Sequence, residues 1–201
     1  MTEQRTEEWF AARLGKVTAS RIKDVLAGKT TAARRNYLAQ LVVERMTQKA
    51  PESFTNAAMQ WGTDQEPFAR AAYEARNGVL VDETGLVDHP VIPNSGASPD
   101  GLVGQDGLVE IKCPNTATHM DTLLSRTPDS DYIGQMQWQM ACTGRKWCDF
   151  VSFDPRMPSH LQLFVKRIER NDEYIEQLEK EVVQFLMEVE DKVKKLNEIK
   201  V

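Results

Sequence analysis

An α+β fold is predicted by the order in which two kinds of hydrophobic pattern follow each other along the chain. Apolar residues at helical spacing occur early in the chain and at the C-terminus, and short β-like runs lie between them. The last helix has the clearest pattern, because Asn171 can cap it and an apolar stripe continues from Ile175 to Leu196. We therefore expect a central mixed β-sheet flanked by helices, with one long C-terminal helix.

The predicted helices are bounded by residues that cap or stop helices. The side chains of Asn56 and Asn171 can accept hydrogen bonds from N-terminal amides, and Gly78 and Gly144 can adopt the left-handed conformation in which helices end. These signals predict helices at residues 57–76 and 130–143, in addition to the C-terminal one. A further helix at residues 34–47 is predicted by the helical spacing of Leu38, Leu41, Val42 and Met46.

The predicted strands lie on either side of the middle helix. Asp106-Gly107 is a strong hairpin signal, and it separates two short apolar runs. The runs that predict strands are residues 79–81, 85–87, 101–104, 108–112, 147–153 and 161–168.

Composition indicates one globular domain spanning residues 1–201. The chain is 41% hydrophobic and 27% charged, as is typical of such domains. No apolar run approaches the roughly 18 residues that cross a bilayer, and no secretory signal is evident, so we expect a cytoplasmic protein. The 3 cysteines, an odd number, fit buried reduced thiols better than disulfides or an iron–sulfur cluster. The 4 tryptophans are expected in the core rather than stacked on bases.

Charge is unevenly distributed along the chain. Residues 1–50 carry ten basic and five acidic side chains, whereas residues 171–200 have a net charge of −4. The overall charge of −5 therefore does not exclude a nucleic-acid partner, because the basic and acidic groups are segregated. Solvated helix faces would explain the same distribution.

One segment places two acids and a lysine close together. Side chains alternate between the faces of a strand, so Glu110 and Lys112 point to one side and Ile111 points into the core. The hairpin turn folds the second strand back beside the first. Asp100, at the start of the first strand, then approaches Glu110.

This grouping suits the hydrolysis of a phosphodiester. Two adjacent carboxylates repel each other unless a cation lies between them. Oxygen ligands favour a hard ion, so the sequence predicts Mg²⁺, with Mn²⁺ as a substitute. Lys112 beside such an ion could orient or deprotonate a water, or stabilise charge on a phosphate. The alternative is an ordinary surface Glu–Lys pair on a hairpin.

The pattern Pro99-Asp100…Glu110-Ile111-Lys112 resembles the motif of the PD-(D/E)xK nuclease superfamily. Its wider context resembles the lambda-type alkaline exonucleases of the YqaJ-like viral recombinase family, in collinear segments between residues 9 and 175. The resemblance implies a restriction-endonuclease-like core. The further segments that carry it are Trp9…Arg13-Leu14-Gly15…Thr18-Ala19-Ser20, Trp61-Gly62…Glu66…Ala69-Arg70, Ser98, Gly101-Leu102, Cys113-Pro114, Tyr132…Gln135-Met136-Gln137 and Asp154-Pro155-Arg156-Met157.

The resemblance implies a role for each matching residue. Asp100 and Glu110 would bind the metal, together with the backbone carbonyl of Ile111. Lys112 would act on the nucleophilic water.

The remaining roles concern the edge of the site and the substrate. Gln135 would position the water or the scissile phosphate, although helical spacing alone does not distinguish it from Gln137. Glu66 would lie at the edge of the site, as an outer ligand or as a ligand of a second metal. A pocket for a 5′-terminal phosphate would be formed by Arg13, Ser20 and Ser98.

The activity implied by the resemblance is a metal-dependent 5′→3′ exonuclease acting on linear double-stranded DNA. It would release 5′-mononucleotides and leave 3′ single-stranded tails for recombination by strand annealing. The implied partners are double-stranded DNA, a single-strand annealing protein and further copies of the chain in a homotrimer. Two alternatives stay open: a restriction-like or repair endonuclease with the same metal site, and a DNA-end-binding module.

Overall fold

The computed structural model describes residues 4–50 and 56–200, in which a mainly helical N-terminal part is followed by five strands and then by a mixture of helices and strands. The N-terminal elements are α1 (Glu7–Arg13), β1 (Val17–Thr18), a 3₁₀ turn (Ala19–Arg21), α2 (Ile22–Leu26), α3 (Ala32–Thr47) and α4 (Ala57–Asn77). The central strands are β2 (Val81–Asp82), β3 (Val87–Asp88), β4 (Ser95–Ala97), β5 (Gly101–Val103) and β6 (Gly107–Lys112). The remaining elements are α5 (Thr116–Ser125), α6 (Ser130–Thr143), β7 (Trp147–Phe153), a 3₁₀ turn (Ser159–Leu161), β8 (Leu163–Glu169) and α7 (Asp172–Asn197).

The main sheet is mixed and has the strand order β2-β5-β6-β7-β8. Strands β6 and β7 are parallel, with Lys112 opposite Ser152, and the other neighbouring pairs are antiparallel. The carboxyl ends of β6 and β7 therefore meet at one edge of the sheet, which we call the carboxyl edge. A smaller sheet has the order β1-β4-β3. The predicted α+β class with a long C-terminal helix is confirmed.

Helices cover both faces of the main sheet. On one face, Tyr73 of α4 packs in a cluster with Ile111 of β6. On the other face, Met136 of α6 packs with Leu108 and Phe150. A further cluster joins α2, α3, α6 and α7 behind that layer. Because β6 is fixed from both sides, the side chains at its carboxyl end are held in defined positions.

The predicted elements with clear end signals are confirmed. Helix α6 spans the predicted residues, α4 is one residue longer than predicted, and β7 has the predicted bounds. Asn56 and Asn171 accept the expected capping hydrogen bonds, and Gly78 and Gly144 are left-handed. Strand β8 begins at Leu163, two residues later than predicted, because a 3₁₀ turn comes first.

Several short or polar elements were not predicted. Helix α5 buries only His119, so it has no apolar stripe to reveal it. Helices α1 and α2 have seven and five residues, and β1 and β4 have two and three. Such lengths are too short for periodicity to be recognised.

The cysteines are free and buried, as expected. Burial raises the pKa of Cys113 to about 12. Trp138 is fully buried and Trp147 packs against a core cluster, as expected. The expectation is wrong for Trp9 and Trp61, which belong to no core cluster of the described residues. Trp9, Trp61 and Trp147 are partly exposed, and each lies beneath an arginine guanidinium. Within the described residues, no helix is long and apolar enough to cross a membrane.

Candidate active site

The carboxyl edge carries the predicted pair of acids. Asp100 immediately precedes β5, whose first residue pairs with Val109 of β6. Oδ2 of Asp100 accepts a 2.7 Å hydrogen bond from the amide of Ile111. Burial and the carboxylate of Glu110 raise the pKa of Asp100 well above its ordinary value, although Lys112 opposes the shift. The hairpin therefore brings Asp100 and Glu110 together.

Glu110 is held in one orientation by three donors. Only 1% of its surface is exposed. Nε2 of Gln135 donates to Oε1 and Nε2 of Gln139 donates to Oε2, both over 2.6 Å. The ammonium of Lys112 also donates to Oε1. A buried carboxylate with this number of partners keeps a fixed geometry.

Lys112 is a cation beside these acids. Burial lowers the pKa of Lys112, but the carboxylates of Glu110 and Asp100 outweigh this effect and the net shift is upward. Its Nζ lies 5.2 Å from the centroid of the Tyr132 ring. The charged form is thus favoured, and it can stabilise negative charge on a phosphate or orient a water.

The structure distinguishes the two glutamines that helical spacing could not. Gln135 reaches Glu110, whereas Gln137 donates to the carbonyl of Glu169 and accepts from the amide of Asn171. Gln137 therefore fastens the start of α7 to α6. Gln139 had no predicted role, although it follows Gln135 by four residues and so shares its helical face.

Glu66 extends from α4 toward the same acids, and arginines already contact it. Nη2 of Arg5 lies 2.5 Å from Oε2 of Glu66, and Nη2 of Arg70 lies 3.4 Å from Oε1. Glu66 and Asp100 line one cavity of about 320 Å³. The charge of Glu66 adds to the upward pKa shift of Asp100. Glu66 therefore lies at the edge of the site.

Arg13 lies against Ser98, which precedes Asp100 by two residues along the chain. Arg13 donates long hydrogen bonds of 3.4 Å to the hydroxyls of Ser98 and Thr18. The indole of Trp9 donates to Ser98 over 3.0 Å, and the guanidinium of Arg13 lies 4.1 Å from the centroid of its ring. A guanidinium with two hydroxyls forms a suitable anion pocket.

Ser20 lines the same cavity as Arg13 but does not hydrogen-bond to it within the described residues. It is exposed, and the cavity has a volume of about 570 Å³. Arg13 and Ser20 do not share a helix, because α1 ends before Gly15, whose φ is +68°. The chain then enters β1, which places Thr18 beside Arg13. Thr18 belongs to the matching motif but had no predicted role.

The donor set suits a hard divalent cation. Glu110 is buried and Asp100 partly buried, and the two carboxylates repel each other, so a cation between them would relieve this repulsion. Within residues 4–50 and 56–200, no group of three or more His, Cys, Asp or Glu side chains could hold a metal ion. A metal here would therefore need two carboxylates plus other oxygen ligands, such as the carbonyl of Ile111 or water.

The chain matches a known protein family over most of its length. A family model described as the YqaJ-like viral recombinase domain matches residues 8–146. This range includes the acids, the lysine and the Arg13–Ser98 group. The chain belongs to the YqaJ-like viral recombinase family. Among curated proteins, no sequence matches the chain.

Solved structures support the same assignment. An alkaline exonuclease from Laribacter hongkongensis, LHK-Exo, is 56% identical, with a TM-score of 0.91 over 96% of each chain. A second structure of LHK-Exo, in complex with dAMP, also has a TM-score of 0.91 at 56% identity, over 95% of this chain and 96% of that one. A phage-related exonuclease from Haemophilus somnus 129PT has a TM-score of 0.73 over 90% of this chain and 96% of its own. At 15% identity, that structure supports the fold alone. From its family and its similarity to LHK-Exo, the present protein is a nuclease of the exonuclease type.

Proposed function

We propose that the protein is a metal-dependent 5′→3′ exonuclease that acts on linear double-stranded DNA. The observation that carries this proposal is that the anion pocket of Arg13 and Ser98 is joined to the acid pair of Asp100 and Glu110 by a short stretch of chain. Ser98 bonds to Arg13, and Asp100, two residues later, belongs to the acid pair. A terminal phosphate held by Arg13 would lie next to the groups that cleave the neighbouring phosphodiester.

The Arg13 group fits a terminal phosphate better than an internal one. A terminal phosphate carries close to two negative charges, and an internal phosphodiester carries one. The planar guanidinium of Arg13 can bind two phosphate oxygens, and the hydroxyls of Ser98 and Thr18 can bind a third. A preference for 5′-phosphorylated ends follows.

Asp100, Glu110 and the carbonyl of Ile111 would hold Mg²⁺ or Mn²⁺. Such an ion acts as a Lewis acid on the phosphate and lowers the pKa of water. Lys112 supplies a cation for the negative charge that develops on the phosphate, or orients the attacking water. Gln135 fixes the Glu110 carboxylate through its 2.6 Å hydrogen bond.

The products and partners are part of the same proposal. LHK-Exo was solved with dAMP, a deoxynucleoside monophosphate, which supports mononucleotides as the products of this relative. We extend this product class to the present chain, with 3′ single-stranded tails as the other product. A single-strand annealing protein and a homotrimer are proposed from the family resemblance.

The decisive experiment digests linear duplexes labelled at either the 5′ or the 3′ end, with Mg²⁺ present. The proposal predicts early release of the 5′ label as a mononucleotide, while the 3′ label stays in long single strands. Early release of the 3′ label would contradict the proposed direction.

An endonuclease with the same site is the second candidate, and closed circular DNA separates the two. An exonuclease leaves the circle intact, whereas an endonuclease nicks it. Binding to duplex ends without any cleavage in Mg²⁺ or Mn²⁺ would instead favour the DNA-end-binding module.

A further inference from the structure

Arg156 lies at the carboxyl edge, one strand away from Lys112. Strands β6 and β7 run parallel with Lys112 opposite Ser152, so the segment after β7 lies beside the segment after β6. Nη2 of Arg156 donates to the carbonyl of Pro114 over 3.3 Å. Neighbouring strands are about 5 Å apart, so Arg156 is anchored close to the acidic site.

The Arg156 guanidinium is held rigidly and remains accessible. Its Nε and Nη2 donate to the two carboxylate oxygens of Asp154 over 2.7 and 3.0 Å. Asp154 is fully buried. The Cζ atom of Arg156 lies 4.5 Å from the centroid of the Trp61 ring. The side chain is nevertheless 45% exposed, and its Nη1 bonds to no group in the described residues.

The same arrangement occurs a second time in the molecule. Arg167 donates to both oxygens of the buried Asp149 over 2.8 and 2.9 Å, and its Cζ atom lies 3.5 Å from the centroid of the Trp147 ring. Its side chain is 48% exposed. Asp149 and Trp147 belong to the amino-terminal half of β7, away from the carboxyl edge. Arg167 is therefore a matched control for Arg156, because it makes the same contacts at a place away from the acids.

The position of Arg156 distinguishes it from Arg167. Across β5, β6 and β7, the carboxyl edge carries first the Ser98–Asp100 segment, then Lys112, then Arg156. Cations thus flank the acids on both sides, with Arg13 bonded to Ser98 at one side and Arg156 at the other. A DNA strand that crosses the acids would bring successive phosphates to both.

We propose that Arg156, braced by Trp61 and Asp154, binds a backbone phosphate of DNA on the side of the acids opposite the Arg13–Ser98 pocket, and so positions the scissile bond. The proposal rests on the proposed function, because it assumes that DNA occupies the carboxyl edge. Arg156 is then a positioning residue that contacts the substrate two or more nucleotides from its 5′ end.

The test compares Arg156→Ala with Arg167→Ala in binding to a 5′-phosphorylated duplex. Fluorescence anisotropy is measured with Ca²⁺ in place of Mg²⁺, over a series of KCl concentrations. Losing one phosphate contact should weaken binding on the order of tenfold and reduce the slope of log K against log [KCl] by about 1. Arg167→Ala should leave the affinity and the slope unchanged.

Folding is controlled by a second pair of variants. Each single alanine variant leaves a buried carboxylate without its arginine, which could destabilise the fold. The double variants Asp154→Asn/Arg156→Gln and Asp149→Asn/Arg167→Gln remove the carboxylate charge as well. Thermal unfolding and DNA binding are measured for these double variants in parallel with the single ones. The first double variant should reproduce the reduced slope while still showing a cooperative melt. Arg156→Lys should restore the slope, since it keeps the charge, but only part of the affinity.

Steady-state digestion provides an independent measure. Arg156→Ala should raise KM more than it lowers kcat, and Arg167→Ala should change neither. An unchanged salt slope in both Arg156 variants would overturn the inference, and so would an equal effect of Arg167→Ala. If wild-type protein digests linear duplexes in the same experiment, either result leaves the proposed function standing. Absence of wild-type digestion would refute that function instead.

Discussion

Two acids of the main sheet region, the buried Asp149 and the partly buried Asp100, differ in how far their charges are compensated. Asp149 accepts hydrogen bonds from the Tyr73 hydroxyl over 2.8 Å and from two nitrogens of Arg167. Asp100 accepts one hydrogen bond, from a backbone amide, and faces the carboxylate of Glu110. The chain thus fully compensates the charge of Asp149 and leaves that of Asp100 undercompensated.

This difference is the one expected between a structural acid and the metal-binding acid that we propose. A buried carboxylate with its own cation and hydroxyl holds the fold together, and removing a partner destabilises it. A buried carboxylate next to another carboxylate is unfavourable until a cation binds. The raised pKa of Asp100 is what we expect of an acid in the proposed metal site before an ion binds.

The largest expected effect is on catalysis in Asp100→Asn. Loss of a metal ligand should reduce cleavage of linear duplex DNA by at least about a thousandfold, with no loss of folding. Asp149→Asn is the matched control, and it should lower the melting temperature while kcat stays near that of the wild type. Wild-type rates in Asp100→Asn would refute the assignment of the site.

Lys112→Ala should reduce kcat by about a hundredfold to ten-thousandfold, because it removes the cation that acts on water or phosphate. Metal binding, followed by the rise in melting temperature with Mg²⁺, should be retained. The pH profile of the variant tests whether Lys112 deprotonates water, since a rise in rate at alkaline pH should then flatten. A near-normal rate would show that Lys112 only holds Glu110 in place.

Arg13→Ala should remove most of the preference for 5′-phosphorylated ends. A charge-assisted contact contributes about 1.5–3 kcal/mol, or roughly one to two decades in rate. Initial rates on 5′-phosphate and 5′-hydroxyl duplexes measure the preference, and Arg13→Lys should recover only part of it. If the preference persists in Arg13→Ala, the terminal phosphate binds elsewhere.

Tyr73→Phe should reduce the stability that the Asp149 group gives to the fold. It removes the hydroxyl that donates to Asp149 and should lower the free energy of unfolding by about 1–3 kcal/mol. The kcat of the variant should not change, since Tyr73 lies on the face of the sheet opposite Glu110. Chemical unfolding and steady-state digestion of one preparation test both expectations. A large loss of kcat at wild-type stability would mean that the two groups are coupled.

The smallest expected effect is that of Asp100→Asn on the free energy of unfolding in the absence of metal. A carboxyl group whose pKa is raised in the folded state binds its proton more tightly there than when unfolded, so the folded protein loses stability as pH rises above the unfolded pKa of about 3.9. In EDTA, Asp100→Asn should therefore unfold at higher denaturant concentration than wild type, by a margin that grows toward neutral pH. Added Mg²⁺ should reverse the order. A margin that shrinks as pH rises would contradict the raised pKa of Asp100.

Local rules predicted the elements of this fold wherever a pattern was long or well capped. Helix α6 and strand β7 have their predicted bounds, because their apolar periodicity and end signals agree. Helix α5 was missed because its one buried residue, His119, gives no periodicity. The prediction of core positions for Trp9 and Trp61 failed for another reason. An arginine stacked on each ring allows it to stay partly exposed. The arginine on Trp61, Arg156, is far away in the chain, whereas Arg13 follows Trp9 by four residues on α1.

The sequence by itself determined the acidic pair and its lysine, because alternation along β6 and one hairpin turn suffice to place Glu110 and Lys112 on one face beside Asp100. The tertiary structure alone decided which side chains surround them. The rotation of α6 against the sheet selects Gln135 and Gln139 over Gln137, and the end of α1 brings Thr18 into hydrogen-bond contact with Arg13. The parallel pairing of β6 with β7 brings Arg156 to the same edge. These choices depend on contacts between residues far apart in the chain, and no short-range periodicity records them.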